Sequence, residues 1–180
     1  MIVHDFREKL ERSREGMTAQ ALIQSWLTGC VNVEAASLQD DRNGIDYWAT
    51  LRGGAMVGID HKLREPGASR FWGYGFPELA LEIWSVKPDE TLRTEGTVGW
   101  TLSETKNTDY ILYTFAPTDS PRAYLIPFQL LRIAFRQYFH EWCEQYKAKN
   151  QSSGEWMSQA VFVPAPIVIE AVGEHMDRIT

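Results

Sequence analysis

The sequence predicts an α/β (α+β) fold with a mixed central β-sheet flanked by helices. Three observations predict it. Two segments, 18–28 and 127–147, repeat apolar residues every three or four positions, as a helix with one buried face does. Two runs, 45–51 and 55–63, alternate apolar with polar or charged residues across the turn signal Arg52-Gly53-Gly54, as a β-hairpin does. Short apolar runs at 79–86, 110–115 and 123–126 supply further strands, and the order helix, hairpin, three strands, helix lacks the regular alternation of a doubly wound fold. With 180 residues, 44% hydrophobic and 23% charged, the chain is expected to form one domain, 1–180. Its core is expected at 18–127, with a C-terminal helical extension at 128–180.

Taken in order, charged residues crowd 5–15 (Arg7, Glu8, Lys9, Glu11, Arg12, Arg14, Glu15), which suits a short exposed helix interrupted at Gly16. Leu22, Ile23, Trp26 and Leu27 then mark the first core helix, with Gly29 at its stop. A polar turn is expected at 39–44. In the hairpin, Ile45, Tyr47, Ala49 and Leu51 alternate with Asp46, Trp48 and Thr50. On its second arm Met56, Gly58, Asp60 and Lys62 alternate with Val57, Ile59, His61 and Leu63. A loop follows over 65–76, where Trp72, Tyr74 and Phe76 alternate and either cover the hairpin or stack on bases. A second polar connection occupies 88–99. After Pro127, Leu130, Leu131, Ala134, Phe135, Tyr138, Phe139 and Trp142 form the apolar face of a long helix. A linker at 150–154, a short strand at 161–163 and a terminal helix at 167–176 complete the chain. There is no internal repeat.

The net charge of −6 argues against broad nonspecific binding of nucleic acid, which needs a basic face. It leaves room for an acidic metal site, and for a protein that inhibits by mimicking a nucleic acid. Cys30 and Cys143 are too few and too far apart for a zinc site and read as free thiols of a reducing compartment. Neither a signal peptide nor an apolar run of membrane-spanning length is present in the sequence, so a cytoplasmic location without membrane association is expected.

The chemistry concentrates in Gly44-Ile45-Asp46 and, fourteen positions on, Gly58-Ile59-Asp60-His61-Lys62. Asp60 and Lys62 are two apart on one strand and so share a face. Pairing through the turn at 52–54 would bring Asp46 opposite them. Two carboxylates that hold Mg²⁺ or Mn²⁺, beside a lysine that orients water and offsets developing charge, suit phosphodiester hydrolysis. The plainer reading is an exposed hairpin edge on which Asp and Lys alternate without consequence.

These residues, together with Leu81-Glu82-Ile83-Trp84-Ser85, Gly99-Trp100-Thr101-Leu102-Ser103 and Thr105-Lys106-Asn107-Thr108-Asp109-Tyr110, resemble the PD-(D/E)xK superfamily of restriction-endonuclease-like and resolvase-like nucleases, in particular phage-encoded members. The resemblance spans about residues 18–127. It implies a metal-dependent deoxyribonuclease with Asp46 and Asp60 as metal ligands, Mg²⁺ or Mn²⁺ as cofactor, Lys62 as the catalytic lysine and DNA as substrate. It also implies Glu82 as an accessory ligand or organiser of the phosphate and water, and Gln20 in the slot of the first helix that often carries Glu. Ile45 stands where the motif has Pro. A homodimer through the 128–147 helix is a further expectation. The alternative is a catalytically inactive nuclease-fold protein that binds nucleic acid or a host protein as an inhibitor. His61 faces away from Asp60 and Lys62 and is expected to be a packing or surface histidine.

Overall fold

The computed structural model describes residues 19–64, 72–73, 76–88, 95–115, 123–152 and 157–176. The helix expected at 5–15 and the side chains of Trp72, Tyr74 and Phe76 lie outside the described residues. The protein is α+β. It divides into two compact units, Met1–Leu63 with Asn107–Leu125 and Arg64–Lys106 with Ile126–Thr180. The division therefore crosses the expected 18–127 core instead of falling at its end.

The described residues of the first unit form helix α1 (Ala19–Trp26) and strand β1 (Cys30–Ala35), then a one-turn helix α2 (Leu38–Arg42), β2 (Tyr47–Leu51), β3 (Met56–Arg64) and, much later in sequence, β7 (Tyr110–Phe115) and β8 (Ala123–Pro127). The sheet order is β1-β2-β3-β7-β8. Strands β1, β2 and β3 form an antiparallel meander, with Tyr47 opposite Ile59 and Trp48 opposite Gly58. Partners at Gly58 with Asp109 and at His61 with Thr114 advance together along β3 and β7, so these two strands run parallel and the sheet is mixed. Ala19, Ile23 and Leu27, four residues apart, bury one stripe of the first helix against Tyr47, Ala49, Ile59 and Leu112. Trp26, expected on that stripe, is turned outward.

Two elements differ from expectation here. β1 follows the helix directly, where no strand was expected. It is an edge strand with mostly exposed side chains, which blurs the alternation that would mark it. The polar turn at 39–44 contains α2, whose start is fixed by a capping box. The Ser37 hydroxyl accepts from Asp40 N–H, and the Asp40 carboxylate accepts from Ser37 N–H.

The second unit holds β4 (Trp72–Gly73), β5 (Phe76–Val86), β6 (Thr97–Val98), helix α3 (Phe128–Tyr146), β9 (Lys149–Ser152), β10 (Met157–Pro164) and helix α4 (Ala165–Met176). Its sheet order is β4-β5-β10-β9, with β6 on β5. The C-terminal third is thus more than a helical extension. It supplies β10, which pairs with β5 from Glu78 opposite Pro164 to Trp84 opposite Gln159. The segment expected as a linker contributes β9. Phe128, Leu131, Phe135 and Trp142 of α3 are buried within the chain, as are Val168, Ala171 and Val172 of α4. The aromatic surface expected to serve a dimer is therefore largely occupied, and Ile133 is the large apolar residue of α3 that stays exposed.

Candidate active site

Asp46 sits in the bend that leads into β2, and its backbone is held from both sides. Its carbonyl accepts from Ala36 N–H at 2.9 Å, and its own N–H donates to the Ile59 carbonyl at 2.8 Å. The preceding chain arrives from α2 through Gly44, whose φ of 81° belongs to the left-handed region that glycine enters without strain. Ile45 follows and is buried. The hairpin register puts Asp46 across from Asp60, because Tyr47 pairs with Ile59 on the next rung.

The consequence is a pair of carboxyls within hydrogen-bonding reach of each other. Burial pushes Asp46 up to about 7, and the charge of Asp60 adds to the rise. The N–H of His61 opposes the rise by donating to Asp46 Oδ2 at 2.6 Å. Asp60 is 2% exposed and takes an ion pair from Lys62 Nζ at 2.7 Å. The lysine side chain keeps 32% of its surface in solvent, so its ammonium can also meet a solute. Asp46, Asp60 and Lys62 are the three sequence-derived residues that the fold brings together. Among the described residues no third Asp, Glu, His or Cys joins them as a metal-binding group.

The other two sequence-derived residues have surroundings of their own. Gln20 is exposed on α1, beside the buried stripe of Ala19 and Ile23. Glu82 belongs to β5 of the second unit. Its Oε2 accepts from Ser85 Oγ at 2.6 Å and from Trp100 N–H at 3.1 Å. There it holds the turn 99–103, whose N–H groups at Leu102 and Ser103 return to the Gly99 carbonyl. The contacts of Glu82 thus fit a turn anchor. Arg132 and Arg136 of α3 brace the same turn by bonding the Ser103 carbonyl and Glu104.

His61 lies on the opposite face of β3. Its Nε2 is 2.7 Å from Thr114 Oγ1 and its ring is tilted against Tyr47. Burial pushes its pKa down to about 4, so it is a neutral packing residue at ordinary pH.

Four residues around the carboxyl pair, Ile45, Gly58, Thr108 and Asp109, carried no assigned role in the sequence. Asp109 Oδ2 accepts the Gly58 N–H at 2.7 Å, while Asp109 N–H and the Thr108 hydroxyl both donate to the Gly58 carbonyl. Ile45 packs where a Cβ on Gly58 would stand. The available signal was a glycine inside a strand, which marks a close approach of another group.

No protein-family model, curated protein or solved structure matches the chain.

Proposed function

We propose that the protein is a divalent-metal-dependent deoxyribonuclease in which Asp46 and Asp60 hold the metal and Lys62 acts on the reacting phosphate. The single observation that carries this reading is the opposed pair of carboxyls. Folding two such groups against each other in a half-buried site is unfavourable unless a proton or a cation lies between them. Their oxygens are the donors that Mg²⁺ and Mn²⁺ prefer, and Mg²⁺ is commonly held by one or two carboxylates with water completing its shell. When bound, such an ion polarises a phosphate oxygen and lowers the pKa of a coordinated water.

The chain's own residues then divide the work. Asp46 and Asp60 fix the position of the site through the hairpin register, since the Asp46 backbone is bonded to Ala36 and Ile59 and Asp60 follows Ile59 on β3. Lys62, partly in solvent and oriented by Asp60, orients the attacking water and offsets the negative charge that grows on the phosphorus centre.

The test is cleavage of supercoiled, linear and branched DNA by the purified protein with Mg²⁺ or Mn²⁺. Cleavage is expected with metal and lost in chelator. Lys62→Ala is expected to abolish it with an unchanged circular-dichroism spectrum. A folded protein that cleaves none of these DNAs with either metal overturns the assignment. Partner capture that survives both Asp46→Ala and Lys62→Ala would then favour the inactive, inhibitor-like reading.

A further inference from the structure

We propose that Gly58 is a positioning residue for the two-carboxylate site, acting as the socket that seats Ile45 and so sets the place of Asp46. The inference rests on the nuclease reading above. A Cβ built on Gly58 would lie 2.9 Å from Ile45 Cδ1 and 3.1 Å from its Cγ1. Its Cγ2 would be 3.4 Å away; Ile45 is 3% exposed and β-branched, so its two γ carbons are held at χ1 and Cδ1 alone can swing aside. Any displacement passes directly to the next residue, Asp46. Gly58 is itself fixed. It pairs with Trp48 in the hairpin, and its peptide is clamped on the other side by Asp109 and Thr108 at the start of β7. Two residues further along β3 stands Asp60. One glycine therefore links the strand that carries Asp60, the segment that carries Asp46 and the segment that leads into the neighbouring strand β7. Groups that orient metal ligands without touching the metal commonly change affinity by on the order of 10–100-fold when replaced.

The experiment measures Mn²⁺ affinity of the folded full chain by electron paramagnetic resonance, with kcat and KM for DNA cleavage alongside. Gly58→Ala is expected to weaken Mn²⁺ binding by roughly tenfold or more and to lower kcat, with KM for DNA unchanged. Adding Ile45→Ala to Gly58→Ala removes Cδ1 and both γ carbons from the contact and is expected to restore part of both. A role confined to stability would move the melting temperature and leave the affinity of the folded chain alone. Should Gly58→Ala fail to fold, Asp109→Ala releases the clamp without adding volume. It is expected to weaken Mn²⁺ binding in the same way, and Asp109→Asn, whose amide oxygen can accept the Gly58 N–H, to restore it. Wild-type binding that these variants leave within twofold, or a double variant that recovers nothing, overturns the positioning role alone. A wild type that binds no Mn²⁺ overturns the nuclease reading and this inference with it.

Discussion

Asp46 and Glu82 are both acidic residues of sheet segments, both singled out by sequence, and they ended in opposite surroundings. Glu82 faces donors: a hydroxyl and a backbone N–H satisfy one of its oxygens, and a turn depends on it. Asp46 faces another carboxyl and receives one N–H. A carboxylate that answers N–H groups is accounted for by the fold. One that opposes a second carboxylate is a cost unless a proton or a cation lies between them, and on the proposed reading a cation takes that place. The difference lies in what the fold brings across from each residue, which is another chain segment's side chain in one case and a turn's backbone in the other.

The sharpest way to break this comparison is to neutralise each residue and measure DNA cleavage. Asp46→Asn is expected to lower kcat by about 10²-fold or more, the scale on which loss of a directly acting catalytic group is felt. Glu82→Gln is expected to stay within a few-fold of wild type. Equal losses would mean that Glu82 also serves the chemistry. Equal tolerance would mean that Asp46 does not.

Next in size is the pH dependence of metal-free stability. Folded Asp46 keeps its proton up to about 7, whereas the unfolded group releases it near 3.8. Between those values the folded chain holds the extra proton, so Asp46 makes stability fall as pH rises. His61 has the opposite sign. Its folded value is about 4 against 6.5 unfolded, so the unfolded chain holds the extra proton and stability falls as pH drops through that window. The two contributions offset each other over most of pH 4 to 6.5, the overlap of the two windows. Thermal melts of Asp46→Asn should therefore unmask the His61 slope, gaining stability as pH rises through this range. The variant should exceed metal-free wild type most clearly above pH 7, where wild-type Asp46 is ionised. Saturating Mg²⁺ should reverse that order in the wild type and leave the variant little changed, because metal binding and proton release are linked. A variant that melts below metal-free wild type at pH 8 would remove the argument that the carboxyl pair is strained without a cation.

How much of this was legible in the sequence follows from the range of each interaction. The hairpin could be read because Asp46, Asp60 and Lys62 sit in runs whose alternation is local, and one turn signal fixes the pairing. β9 could not be read. Lys149–Ser152 is polar and exposed at every position, and it is a strand because β10 offers it a ladder. β10 was seen only in its apolar C-terminal half, 161–163, since Met157–Gln159 carries no apolar alternation. The helix at Leu38–Arg42 hid inside a polar turn because its signal is a single Ser37–Asp40 pair. The turn-holding contact of Glu82 needs Trp100, eighteen residues away, and no spacing rule foretells that. Gln20 was placed by resemblance, and its slot on α1 faces solvent.

A smaller effect sharpens the contrast from the Glu82 side. Glu82→Ala removes the acceptor of the Trp100 N–H and is expected to cost about 1–2 kcal/mol in denaturant unfolding, the scale of hydrogen bonds to a half-exposed charged group. Glu82→Gln should recover most of that, since an amide oxygen can still accept. Loss of stability in Asp46→Ala as large as in Glu82→Ala would erase the distinction between a residue that anchors a turn and one that awaits a ligand.

The smallest expected effect concerns the face of β3 turned away from the carboxyls. Thr114→Val keeps the shape of the side chain and removes the hydroxyl that His61 Nε2 meets at 2.7 Å. A half-buried ring nitrogen then loses its partner, and stability should fall by about 1 kcal/mol. Metal affinity and kcat should not change, because the hydroxyl meets the imidazole on the far face. If kcat falls while stability holds, the two faces of β3 are coupled through the His61 peptide, whose N–H is the one that reaches Asp46. In that case His61 belongs with the groups that position the site and not with those that merely pack behind it.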